Sequence, residues 1–93
     1  MVNLNDFASQ AKIISERRGQ EKGVIPALKH CAGEICEAVE AWTREPGSDS
    51  FSLELADIII CVLTVASETG TDIEKSLTEA MIKNAERAYG KEA

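Results

Sequence analysis

The sequence predicts an all-α fold: four helices in one small domain. Three observations carry that expectation. No stretch alternates apolar and polar residues at the period of a strand. Glycine and proline cut the chain into four runs of helix-forming residues. Aromatic residues are only 4% of the chain, which points away from a β-sandwich.

The first helix is expected from about Asn5 to Arg18. Asn5 offers a cap, Phe7, Ala11 and Ile14 make an apolar stripe, and Gly19 offers a stop. The second runs from about Pro26, which suits a first helical position, to Arg44, where Pro46-Gly47 forbids continuation. The third runs from about Ser50, a candidate cap, to Thr69 before Gly70. The fourth opens on a capping box, Thr71 with Glu74, and ends near Tyr89 before Gly90. Short connections predict that consecutive helices lie side by side and antiparallel. The joint Gly19–Ile25, with two glycines among charged and amide residues, is the expected loop of greatest freedom.

Residues 1–93 suffice for a single domain with a marginal core. The net charge is −6 and the isoelectric point about 4.7. That balance argues against a nucleic-acid polymer or an anionic membrane as partner, although a bound metal can reverse the local field for a nucleotide. Cys31, Cys36 and Cys61 are odd in number, form no CxxC pair and sit among apolar residues, so core positions are expected for all three. The N-terminus lacks the apolar run of a signal peptide, and Ile58–Leu63 is too short to span a bilayer. A reduced, cytoplasmic setting is the expectation.

Between Leu55 and Ala66 the third helix has only Asp57 and Thr64 as polar residues. A helix apolar around its circumference must be surrounded. One chain has too few helices for that, so a homodimer or homotetramer is expected.

The carboxylates Glu54 and Asp57 in this apolar stretch need a reason. The second helix carries a matching pair, Glu34 and Glu37, in GEICEAVEAW. Residues three apart share a helix face. Counted from the turn at about 1.5 Å per residue, both pairs lie at a similar height, roughly 12 Å along their helices. Four converging carboxylates must protonate, pair with Lys or Arg, or hold a divalent cation. An all-oxygen set suits Mg²⁺, with Mn²⁺ as a substitute. A carboxylate-bridged di-iron bundle wants Glu-x-x-His, whereas His30 precedes Glu34 by four.

Glu34-x-x-Glu37, sixteen intervening residues, then Glu54-x-x-Asp57, with MIKNAERAYGK near the end, resembles the signature of the MazG-like all-α nucleoside triphosphate pyrophosphohydrolases. The resemblance runs from about Leu4 to Lys91. It implies a four-helix unit, assembled as dimers or tetramers, that uses Mg²⁺ to hydrolyse a nucleoside triphosphate to the monophosphate and pyrophosphate. Glu34, Glu37, Glu54 and Asp57 would be the metal ligands, with Glu34 or Glu37 orienting or deprotonating the attacking water. Asn84 and Arg87, with Tyr89, match the motif associated with phosphate binding. Ala80 stands where such sequences often carry a Lys, and Lys83, one turn later, is the expected replacement, with Lys91 beyond it. Gln10, Ile13, Ile14 or Trp42 are candidates for a base pocket. Lys12, Lys22 and Lys29 are read as surface residues within reach of a phosphate. The rival reading is a non-catalytic helical oligomer that keeps the fold and acts as a regulatory or interaction module.

Overall fold

The computed structural model describes residues 3–20 and 22–90. They form α1 (Leu4–Arg17), α2 (Val24–Arg44), α3 (Asp49–Thr69) and α4 (Ile73–Tyr89), with no strand among them.

Two of the stops expected from glycine are built in the same way. After α1, Gln20 N–H donates to the Ser15 carbonyl and Gly19 N–H to that of Glu16. After α3, Thr71 N–H donates to Ala66 and Gly70 N–H to Ser67. Both are Schellman closures, which need a left-handed residue. Gly19 and Gly70 supply it at φ 72° and 65°. At the start of α2, Pro26 is the third helical residue, not the first. It is tolerated there because the first four N–H groups of a helix have no internal partner.

The caps differ from the expected ones. Asn3, not Asn5, caps α1, its side chain accepting from Asn5 and Asp6 N–H. Ser48, not Ser50, caps α3 through Phe51 N–H at 3.1 Å. Asp72, not Thr71, caps α4 through Lys75 N–H at 3.1 Å. Asn5 and Glu74 are released for a different task. Glu74 accepts from Leu4 N–H at 2.7 Å, Asn5 Oδ1 accepts from Ile73 N–H at 3.2 Å, and Asn5 Nδ2 donates to Asp72 at 3.0 Å. The N-termini of α1 and α4 thus cap each other. Asn5→Ala should cost about 1–2 kcal/mol, or roughly 4–8 °C per kcal/mol in a chain this small. Thr71→Ala should stay within about 0.5 kcal/mol. Equal melting shifts in the two variants would reinstate a Thr71 capping box.

The helices α2 and α3 pack as the expected antiparallel hairpin. Trp42 meets Phe51 edge-to-face at 5.0 Å near its turn and does not line the cleft described below. The remaining order corrects the expectation. Helix α1 packs on α3, with Ala8, Ala11 and Leu63 buried together and Leu4 and Ile73 against them. Helix α4 touches α1 and makes no extended packing with α2 or α3. None of its residues is buried.

The core is thin. Its buried members are mostly alanines and cysteines, with Leu63 the one large side chain among the described residues. Cys31 and Cys61 are buried as expected, but Cys36 is exposed. Exposed apolar residues run along α2 and α3, including Val39, Leu53 and Ile59. By length and composition alone, α3 passes for a membrane span, and little of it is buried. The short run Ile58–Leu63 understates how apolar this helix is.

Candidate metal and phosphate site

The α2–α3 hairpin brings the two acidic pairs together. Carboxylate oxygens of Glu34, Glu54 and Asp57 lie within 4.8 Å of one another. Glu37 joins them through contact with Glu54. Their setting answers why α3 tolerates two acids. Asp57 and Glu37 are exposed, whereas Glu34 and Glu54 are half-buried. The two inner residues each have one oxygen, Oε2, that is buried without a hydrogen-bond partner.

Pairing with Lys or Arg does not relieve this charge. Among the described residues, the only ion pair involving the cluster is His30 Nε2 to Glu34 Oε1 at 3.4 Å. Protonation and cation binding remain. Burial raises the Glu34 carboxyl above its ordinary value of 4.5, and Glu37 and Asp57 add to the rise. Burial likewise raises Glu54, again with Glu37 and Asp57 contributing. A cation fits the same facts: unpartnered acceptor oxygens on two carboxylates of one cluster are what a hard ion would satisfy.

These shifts set a pH dependence. Each carboxyl holds its proton more tightly in the folded chain than when unfolded. Its contribution to stability is therefore full below about pH 4.5 and is lost as pH rises through the raised folded value. Asp72 acts oppositely: the Asn5 hydrogen bond, and that from Lys75, lower its carboxyl below 3.8, so its contribution is lost only in stronger acid. The metal-free melting point should thus fall between pH 4.5 and neutrality. Glu54→Gln should flatten that slope. A metal-free melting curve that climbs over the same interval, in wild type and variant alike, would sink the assignment.

Two members of the cluster line a cleft of about 530 Å³. Glu34 and Asp57 lie on it together with Arg18, Lys22, Lys29 and His30, and with apolar Ile14 and Ile60. The cleft runs between α1, the α1–α2 link, α2 and α3. Acidic groups meet a basic rim in one concave space. Of the candidates for a base pocket, Ile14 lines the cleft, while Gln10 and Ile13 do not. Lys22 and Lys29, read from the sequence as surface residues, are on its wall. Arg18, His30 and Thr64 were not singled out as site residues in advance. The composition of the loop shows its charge but not the direction in which it folds.

The α4 residues are placed elsewhere. Lys83, Asn84, Arg87 and Tyr89 are exposed, and none lines the cleft. Within one chain the structure does not bring them to the carboxylates. Lys91 lies outside the described residues. Two buried thiols sit beside the cluster, with Cys31 and Cys61 in contact. Burial, then Cys31 and Glu34, pushes the Cys61 thiol up to about 12.

No family model matches the chain, no curated protein is similar to it, and no solved structure is either.

Proposed function

We propose that the chain is a Mg²⁺-dependent nucleoside triphosphate pyrophosphohydrolase of the MazG-like kind, acting in the cytoplasm as a homo-oligomer. One observation carries the reading: a carboxylate cluster with two buried, unpartnered oxygens sends Glu34 and Asp57 into a cleft that Arg18, Lys22 and Lys29 also line. A metal–polyphosphate complex needs both halves. The resemblance of the acidic spacing and of Asn84-x-x-Arg87-x-Tyr89 supplies the reaction class.

In this reading Glu34, Glu37, Glu54 and Asp57 hold Mg²⁺, or Mn²⁺ in its place. The ion supplies charge neutralisation and a more acidic bound water. Glu34 or Glu37 orients the attacking water and accepts its proton. Arg18, Lys22 and Lys29 offset the charge of the phosphates. Ile14 and Ile60 give the base an apolar wall.

The oligomer rests on surface. The chain exposes 7075 Å², whereas a compact monomer of its mass exposes about 5300 Å². Its radius of gyration is 15.4 Å, against about 12 Å for a compact chain of this length. The excess, roughly 1800 Å² per chain, is what obligate dimers bury. Most of the exposed large apolar side chains stand on α2, α3 and α4. A second copy docked there gives α4 a neighbour and a route for Asn84 and Arg87 to a phosphate in the partner's cleft. Light scattering at micromolar concentration should show a dimer or tetramer; a folded 10.1 kDa monomer overturns this part.

The reaction is tested by its products on a panel of nucleoside and deoxynucleoside triphosphates with Mg²⁺. Monophosphate and pyrophosphate are expected. Diphosphate and orthophosphate would move the cleaved bond. No turnover on any nucleotide, with metal binding and assembly intact, would favour the regulatory module.

A further inference from the structure

We infer that His30, Glu34 and Cys61 form a second cation site, distinct in chemistry from the carboxylate cluster and suited to a thiophilic ion such as Zn²⁺. A nitrogen, an oxygen and a sulfur atom from the three side chains lie within 4.8 Å of one another. Zn²⁺ binds such donors at about 2.0–2.3 Å, so a tetrahedral site holds them roughly 3.3–3.8 Å apart. The His30–Glu34 edge, at 3.4 Å, already has that length. The sulfur needs to close by about an ångström at most.

Local structure explains the grouping. His30 and Glu34 are one turn apart on α2, which stacks imidazole over carboxylate. Cys61 is one turn beyond Asp57 on α3 and faces them across the hairpin. All three line the cleft, so an ion has a way in and a fourth position open to water. A surface pair of His30 with Glu34 would account for their 3.4 Å contact, and such pairs contribute little. Core packing against Cys31 accounts for the burial of Cys61, and the site adds that its sulfur lies within 4.8 Å of both donors.

The donor set decides the ion. Imidazole and thiolate favour Zn²⁺ and its neighbours over Mg²⁺, which prefers oxygen alone. Ligation replaces the Cys61 proton with the ion. Glu34 belongs to both sites through different atoms: Oε1 faces His30, while Oε2 is the buried, unpartnered oxygen. A thiophilic ion held by His30 and Cys61 therefore draws on a carboxylate that the hard-ion site also uses. If the carboxylate cluster serves hydrolysis as proposed above, Zn²⁺ at this second site weakens Mg²⁺ binding and inhibits turnover.

Cobalt(II) reads the site without any assay of activity. In metal-free protein one equivalent of Co²⁺ should give a thiolate-to-cobalt charge-transfer band and the intense visible bands of a tetrahedral ion. Zn²⁺ should erase both; excess Mg²⁺, which competes only for Glu34, should weaken cobalt binding without replacing it at the thiolate. The double variant Cys31→Ser with Cys36→Ser leaves Cys61 as the only thiol and should keep the charge-transfer band. Cys61→Ser should abolish it. His30→Ala should weaken cobalt binding by more than the about 10–100-fold that loss of an outer-shell partner costs. Glu54→Gln, which removes no ligand of this site, should leave the band in place. A band missing from the double variant, or persisting in Cys61→Ser, overturns the site. Unchanged cobalt affinity in His30→Ala does the same. The inhibition arm is separate: a cobalt band with no hydrolysis to inhibit defeats the proposed activity and leaves the second site standing.

Discussion

Millimolar Mg²⁺ is expected to raise the melting midpoint of this chain by roughly 10–20 °C over an EDTA-treated sample at neutral pH. A ligand that binds only the folded form, at about 100 times its dissociation constant, contributes about 2.7 kcal/mol. In a domain of this size each kcal/mol is about 4–8 °C. The gain is large here because the metal-free state starts from a deficit: Glu34 and Glu54 each hold an unpartnered buried oxygen in a field of like charge. Glu54→Gln gives the sharper version. Removing a repelling charge should raise the midpoint in EDTA, while removing a ligand should shrink the Mg²⁺ shift. A variant that loses stability in EDTA and keeps the full shift would place Glu54 outside the site. Protein concentration must be held fixed, since assembly also moves the midpoint.

Asp57→Asn is expected to lower kcat/KM by about 10³-fold, the equivalent of several kcal/mol of lost transition-state stabilisation. Asp57 suits this test because it is exposed, so the isosteric amide disturbs little packing. Its metal-free midpoint should match wild type or exceed it. Loss of turnover with an intact fold would then report on the ion and not on the scaffold. Wild-type turnover in this variant would remove Asp57 from the ligand set. A drop in turnover matched by an equal drop in folded protein would assign it a structural role instead.

Much of this arrangement was legible in the residues, and what was not has physical reasons. Helix number, the stops at Gly19 and Gly70, and the level at which Glu34 and Glu37 meet Glu54 and Asp57 follow from periodicity and a constant rise per residue. The caps were misassigned because Asn3 and Asn5, or Thr71 and Asp72, are neighbouring residues that can each cap, and spacing alone does not decide between them. Asn5 serves another helix, about seventy residues away, which no local rule can anticipate. A capping signal marks where α4 starts but not where it points, so the expected convergence of Asn84 and Arg87 with the carboxylates could not be checked from spacing. The basic wall of the cleft depends on how the α1–α2 link folds back, and Lys22 reads as a surface lysine until that fold is known. Cys36 shares the apolar neighbourhood of the other two cysteines but sits on the outer face of α2.

The mutual caps at the start of α1 and α4 have a kinetic consequence. They join segments about seventy residues apart, so closing them carries a loop entropy that the α2–α3 hairpin does not face. In refolding, the hairpin should form early and this junction late. Once formed, it is the main tether of a helix with no buried residue. Amides along α4 should therefore exchange with solvent through local opening, far faster than those of α3, in any dilute state that exists as single chains. Protection of α4 that grows with protein concentration would make that helix a built-in reporter of assembly.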